Sequence, residues 1–192
     1  MAKYRPDDRA VRDFKTQQAW RTWLDKNHAK SDGVWIRYAK KASGKKSVGY
    51  QEAVEVALCY GWIDGKARTV DASYYMQLFT PRRAKSRWSK INRGKAEALI
   101  ASGMMQPAGM KAIEEAKADG RWDAAYASPA VIEVPVDLRR ALKRSKTEAF
   151  FEALNKNNRY AVLYQIEEAK KPETRARRIE RFVKMFQEGR KP

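Results

Sequence analysis

Cysteine and histidine are almost missing from this chain: its 192 residues hold one of each, Cys59 and His28. A lone cysteine excludes an internal disulfide framework and any multi-cysteine metal site. A lone histidine excludes a metal centre built on three imidazoles. No metal and no cofactor is expected. Long apolar runs are missing too, since no stretch approaches the roughly 18 residues that span a bilayer. The first dozen residues are polar and charged and lack the apolar core of a signal peptide, so the expectation is a cytoplasmic chain without membrane insertion. Acids are scarce as well: 23 Asp and Glu stand against 41 Lys and Arg, a formal charge of +18. An excess of that size predicts an anionic partner, either nucleic acid or a phosphorylated ligand.

What remains is the composition of a folded protein. Hydrophobic residues make up 43% and aromatic residues 11%, too much apolar matter for a disordered chain. A chain of this length buries roughly 70% of its unfolded surface and folds without staples. One domain is expected over residues 1–192, softly divided into a mixed lobe over 13–105 and a helical lobe over 106–189.

The front reads as alternating helix and strand. Trp20, Trp23 and Leu24, with Ala19 near them, recur at helical spacing within Thr16–Lys30, ahead of the turn signals Ser31, Asp32 and Gly33. Val34–Lys40 is rich in strand formers. Lys40, Lys41, Lys45 and Lys46 flank a Ser43-Gly44 turn, which reads as a solvated loop. Tyr50, Val54, Ala57 and Leu58 share a helical face, and Gly61 stands where a left-handed cap belongs. Trp62–Val70 and Tyr74–Thr80, joined by Asp71-Ala72-Ser73, predict an antiparallel hairpin pairing with the first strand.

Beyond Pro81 the signals are helical. Ser89 predicts an N-cap for a helix reaching Gly103, Pro107 opens another, and Gly120 ends it. Asp137 predicts a cap for a helix carrying Leu138, Ala141 and Leu142. Ser145-Lys146-Thr147-Glu148 reads as a capping box before Phe150, Phe151 and Leu154. Helices over Tyr160–Ala169 and Thr174–Gln187 complete the set. Ile179, Phe182, Val183 and Phe186 form a clean apolar stripe on the last. The stretch from Ala127, Ser128 and Pro129 to Val134 and Pro135 is the one candidate linker. The fold class is therefore α+β: a small antiparallel sheet with helices in front, and an all-helical back half packed onto it.

The densest chemistry lies in Ala57–Gly65 and Phe79–Asn92. These carry an A-L-C-x-G-W-I-D-G block, an F-T-P-R-R block and an S-x-W-S-x-x-N block, and Thr174–Ile179 reads T-R-x-R-R-I. In these blocks and their order, over roughly Asp13 to Gly189, the sequence resembles the bacteriocin-protection family called YdeI or OmpD-associated. The resemblance implies a role in tolerance of bacteriocins and cationic antimicrobial peptides and brings no established active site. It also implies a porin association, which the lack of an export signal argues against.

Arg82, Arg83, Lys85, Arg87, Lys90, Arg93 and Lys95 fall within fourteen residues, uninterrupted by an acid. A helix opening at Ser89 would add its dipole and unpaired N–H groups there. Arg82, Arg83, Arg87, Ser89 and Asn92 are thus candidate anion ligands, the guanidiniums through their planar forks. The competing reading is a solvated basic loop with one arginine paired to Asp64. Trp62, Asp64, Arg68 and Trp88 are candidate pocket residues. Trp62 suits a core position better than a stacking platform, while both readings of Trp88 stand. Asp64 lacks an obvious titratable partner for acid–base work, so pairing with Arg68, Arg82 or Arg83 is the better use. Cys59 lies in line with Glu52 and Glu55 near a helix C-terminus, which disfavours thiolate. Arg177, Arg178 and Arg181 form a secondary basic face. The expectation is a non-enzymatic anion-binding protein. Alternatives are a nucleic-acid or phosphorylated-ligand module, and an enzyme acting on an anionic small molecule.

Overall fold

The computed structural model describes residues 8–127 and 132–192. It has the α+β class, with a four-stranded sheet and eight α-helices among the described residues. The chain resolves into two compact units. One holds the residues up to Trp88 together with Asn92–Ala124, and the other holds Ser89–Ile91 and the residues from Ala125 on.

In the front unit the sheet order is β1-β2-β4-β3, with β1 Val11–Arg12, β2 Val34–Ala39, β3 Trp62–Thr69 and β4 Tyr74–Pro81. The expected hairpin is present and β4 pairs antiparallel with β2, Val34 opposite Phe79 and Ala39 opposite Tyr74. The sheet is mixed rather than purely antiparallel, because β1 adds in parallel at the edge of β2. Two residues are too short to show a periodicity. A register shift between Asp64 and Ala67 breaks the β3–β4 ladder, and that bulge re-aims the side chains of β3.

Helices α1 Gln17–Asn27 and α2 Tyr50–Cys59 follow the predicted apolar spacing. Thr16 caps α1 by accepting from the Ala19 N–H at 3.1 Å. Glu52 reaches back to accept from the Gly49 N–H at 2.8 Å. Trp20, Leu24, Ala57, Leu58, Phe79 and Trp62 are all buried to 1% exposure or less. Their polar atoms are satisfied locally: the Trp20 indole donates to the Ala53 carbonyl and the Trp62 indole to that of His28. Trp62 is therefore a core residue. Gly61 turns α2 into β3 at φ 71°, the left-handed conformation that its lack of a Cβ permits. Between β2 and α2, Lys41–Ser43 form one 3-10 turn in the basic loop.

Helix α3, Lys90–Ala101, begins directly after Ser89, and α4 Pro107–Ala118 carries Pro107 in its first turn. Gly109 of α4 lies so close to α2 that an added Cβ would stand 2.3 Å from the Cys59 carbonyl oxygen.

The rear unit is built from α5 Val136–Arg144, α6 Glu148–Glu152, α7 Lys156–Glu167 and α8 Pro172–Gln187. Its core gathers Leu138, Leu142, Phe151, Val162, Leu163, Ile166, Phe182 and Phe186, so the predicted apolar stripe of α8 does face inward. Two caps differ from expectation. Pro135, not Asp137, holds the N-cap position of α5, and the Asp137 carboxylate is drawn instead to Arg175, with bonds of 2.5 and 2.9 Å. Ser145 ends α5 rather than opening a capping box: its hydroxyl donates to the Ala141 and Leu142 carbonyls, and Thr147, at the N-cap of α6, bonds the Ser145 hydroxyl at 2.7 Å instead of capping a backbone N–H. Helix α7 starts a turn earlier than its apolar residues suggest, because Asn155 caps it through the Asn158 N–H. Ser128, Pro129 and the next two positions of the candidate linker lie outside the described residues.

Candidate anion-binding loop

The segment from Arg82 to Trp88 leaves β4 and is braced at each end. The Arg82 N–H donates to the Gly61 carbonyl at 2.9 Å, fixing the loop to the α2–β3 corner. Arg83 and Ser86 close a tight turn, the Ser86 N–H donating to the Arg83 carbonyl while the Arg83 N–H donates to the Ser86 hydroxyl. The Arg121 guanidinium, beyond the end of α4, donates to the Ser86 carbonyl at 2.8 Å.

Under this turn lies an aromatic pair. Trp88 and Trp122 meet edge to face with centroids 4.8 Å apart. The Arg82 guanidinium lies over the Trp88 ring at 3.5 Å and donates to the Arg87 carbonyl at 3.2 Å. Lys117 and Arg93 stand 5.7 and 5.9 Å from the centroid of Trp122. A cation over an indole face is attracted by the ring quadrupole, by about 0.5–2 kcal/mol depending on desolvation. The loop is thus a basic turn seated on two indoles. Two cations of the group are paired within it: Arg121 with Asp119 at 2.7 Å and Arg93 with Glu97 at 3.1 Å. Arg83 and Lys85 project into solvent at the tip.

The predicted residues thus divide. Arg82, Arg87 and Trp88 are brought together, with Trp88 1% exposed beneath Arg82 rather than open to a stacking base. Asn92 is half-buried in α3. Ser89 is itself buried and pairs as a β-bridge with Tyr126 within the rear unit, where the neighbouring Lys90 N–H donates to the Tyr126 carbonyl at 2.9 Å.

Asp64 belongs to a separate cluster on the bulged strand. Its carboxylate accepts from the Tyr50 hydroxyl at 2.7 Å and from the Gln77 amide at 3.4 Å, partners that the sequence did not suggest. The register explains this, since the sheet face that carries Asp64 also carries Gln77 and meets the start of α2. Burial pushes the neighbouring Tyr38 hydroxyl well above the ordinary tyrosine range. Arg68 lies over the Trp35 ring at 4.8 Å.

The secondary basic face is partly used inside its own unit. Arg178 donates to the Gln165 carbonyl, Arg181 donates to the Gln165 side chain at 2.6 Å, and Arg177 is exposed. Cys59 is buried, which pushes its thiol up, although Arg21 at 3.8 Å opposes the shift. His28 turns its Nδ1 to the Leu24 carbonyl at 2.8 Å, so the two lone residues have different partners. No group of three or more His, Cys, Asp or Glu that could hold a metal ion exists among the described residues. Within the same limit, no helix is long and apolar enough to cross a membrane.

Sequence reading missed Trp122, Lys117 and Arg121. They lie about 30 residues from the loop, and a tryptophan after a helix carries no local signal of what it covers.

Residues 12–112 match the family model described as a domain of unknown function, DUF8412. The chain belongs to this family. Residues 131–189 match the model described as Bacteriocin-protection, YdeI or OmpD-Associated, so the chain also carries a YdeI/OmpD-associated domain at its rear, as the T-R-x-R-R-I segment indicated. The A-L-C-x-G-W-I-D-G and F-T-P-R-R blocks fall within the DUF8412 match. Neither a curated protein nor a solved structure matches the chain.

Proposed function

We propose that this DUF8412 and YdeI/OmpD-associated protein is a non-enzymatic anion-binding protein that engages a phosphate-bearing polyanion through the braced loop Arg82–Trp88. The observation that supports this most is the seating of that turn, with Arg82 laid 3.5 Å over Trp88 while Arg83 and Lys85 stand exposed at its tip. A preordered loop loses little conformational entropy on binding, and the planar fork of a guanidinium suits phosphate geometry. The description of the rear domain links such proteins to bacteriocin protection. A body carrying +18 repels cationic peptides, so protection through sequestration is disfavoured and an anionic partner is the better route.

The test is salt-dependent binding to a short double-stranded DNA oligonucleotide, used as a phosphate probe. The double variant Arg83→Ala, Lys85→Ala should bind more weakly, with the slope of log K against log salt reduced by about 2, near 0.9 for each lost phosphate contact. Its stability should change by no more than surface substitutions usually do, about 0.5 kcal/mol. Arg82→Ala should instead cost about 1–2 kcal/mol of stability through the lost stacking. An unchanged slope in the double variant, or binding by the wild type that ignores salt, overturns the reading.

A further inference from the structure

The rear unit carries a cleft that the basic loop does not involve. Helices α5 and α8 begin side by side, joined by the bidentate Asp137–Arg175 pair, and beyond that clamp they enclose a cleft of about 580 Å³. Ala141, Ala176, Ile179 and Val183 form its apolar wall, with Arg144 and Glu180 at its margin. Ala176, Arg144 and Glu180 are exposed, so the cleft is open to solvent. Its lining on α8 runs from Pro172 to Val183, about 16 Å at 1.5 Å per residue. The volume falls within the range of small-molecule sites, about 300–1,000 Å³.

Charge narrows the occupant. Asp137 is already consumed by Arg175, which holds its carboxyl below the ordinary range, so that end of the cleft offers no uncompensated charge. Arg144 stands two turns along α5 from the clamp, about 10 Å away by helix rise. The surrounding faces add Arg140, Lys143, Arg177 and Lys184, all exposed. Of the two acids in the lining, Asp137 is paired and Glu180 opposes, penalising an anion seated on the α8 side. An elongated apolar slot with one cationic end suits a molecule with a single anionic head and an unbranched apolar tail.

We propose that the α5–α8 cleft binds a free single-chain fatty carboxylate, its head on Arg144 and its tail along Ala141, Ala176, Ile179 and Val183. The site is independent of the basic loop, so the Arg83→Ala, Lys85→Ala variant should bind such a ligand as the wild type does.

Calorimetric titration of the full chain with dodecanoate, below its micelle concentration, tests this. One saturable site is expected, with dodecyltrimethylammonium binding at least tenfold more weakly. Arg144→Gln should weaken dodecanoate at least tenfold, and Glu180→Gln should tighten it severalfold. Ala176→Trp fills the slot from an exposed helix position and should abolish binding with an unchanged helical circular-dichroism signal. Absence of saturable binding overturns the proposal, as does equal affinity for the cationic amphiphile. Full affinity in folded Ala176→Trp, or a cleft that takes an acidic amphipathic peptide and refuses dodecanoate, overturns it equally.

Discussion

The two units solve the same problem, a buried core in a chain of high positive charge, with different materials. All six tryptophans lie between Trp20 and Trp122, in the front unit, whereas the rear unit packs Leu, Val, Ile and Phe. In front, cations are laid on rings: Arg82 over Trp88, Arg68 over Trp35, and both Arg37 and Lys45 over Tyr74. Behind, Arg175 is bonded to Asp137 and to the Ile166 carbonyl, and Arg178 to that of Gln165, so these two fasten helix to helix, while Arg181 and Arg159 lie over the rings of Phe182 and Phe151. An indole is wide and rigid, so a core built on it needs close backbone approaches, and its N–H groups find partners at Trp20 and Trp62 but not at Trp35 and Trp88. An aliphatic helical core needs mainly volume.

That contrast yields its largest expected effect behind. Phe182 is 1% exposed and stacks on Phe186 with centroids 6.2 Å apart. Phe182→Ala should cost about 3–5 kcal/mol, the range for deleting a buried aromatic ring. Urea unfolding followed by circular dichroism gives the size. Tryptophan emission gives the location, because it reports the front unit alone, and its midpoint should move less than the helical signal. Equal shifts in both would break the comparison and make the chain one cooperative body.

In front the sensitive quantity is distance rather than volume. Gly109→Ala would place a Cβ 2.3 Å from the Cys59 carbonyl oxygen and 2.5 Å from the Met105 sulfur. The sulfur can swing away, but the carbonyl belongs to the end of α2 and accepts from the Gln106 N–H at 3.1 Å. A cost of about 3 kcal/mol is expected, at the upper end of ordinary overpacking. Tryptophan emission during urea unfolding should show it. A variant as stable as the wild type would mean that α4 slides along α2 without resistance.

The contrast also explains what the sequence disclosed. The stripe of α8 is a local periodicity and Val34–Lys40 a local run of strand formers, and the structure follows both. The class was legible for that reason. The basic loop could be located from its uninterrupted cations, but its seating could not. Trp122 and Arg121 reach it from more than 30 residues away, and no spacing rule connects them. The pairing of Asp64 with Tyr50 and Gln77 depends on sheet register and a bulge, which polarity patterns do not fix. Asp137 and Ser145 depart from their expected capping roles for a related reason: both are good cap residues, and a long-range arginine claims one while the end of α5 claims the other.

The smallest expected effect tests the helix-fastening role of the rear arginines. Arg175 holds the Asp137 carboxyl below the ordinary carboxylate range, chiefly through the hydrogen bonds between them. Because the folded-state value is depressed, the pair contributes fully above the unfolded-state pKa of about 3.9 and is lost as pH falls through the lower folded-state value. The Asp137 side chain is 46% exposed, so solvent screening limits the contribution to below about 1 kcal/mol. Asp137→Asn should therefore lower stability slightly at neutral pH, by an amount that stays level down to about pH 5 and shrinks toward zero under stronger acid. Thermal unfolding of both proteins at several pH values measures that difference. A gap that persists at the acid end would place the role of Asp137 in geometry that an amide does not reproduce rather than in the charge it shares with Arg175, because Asn keeps an oxygen that can accept from the Leu138 N–H as Asp137 does at 2.9 Å.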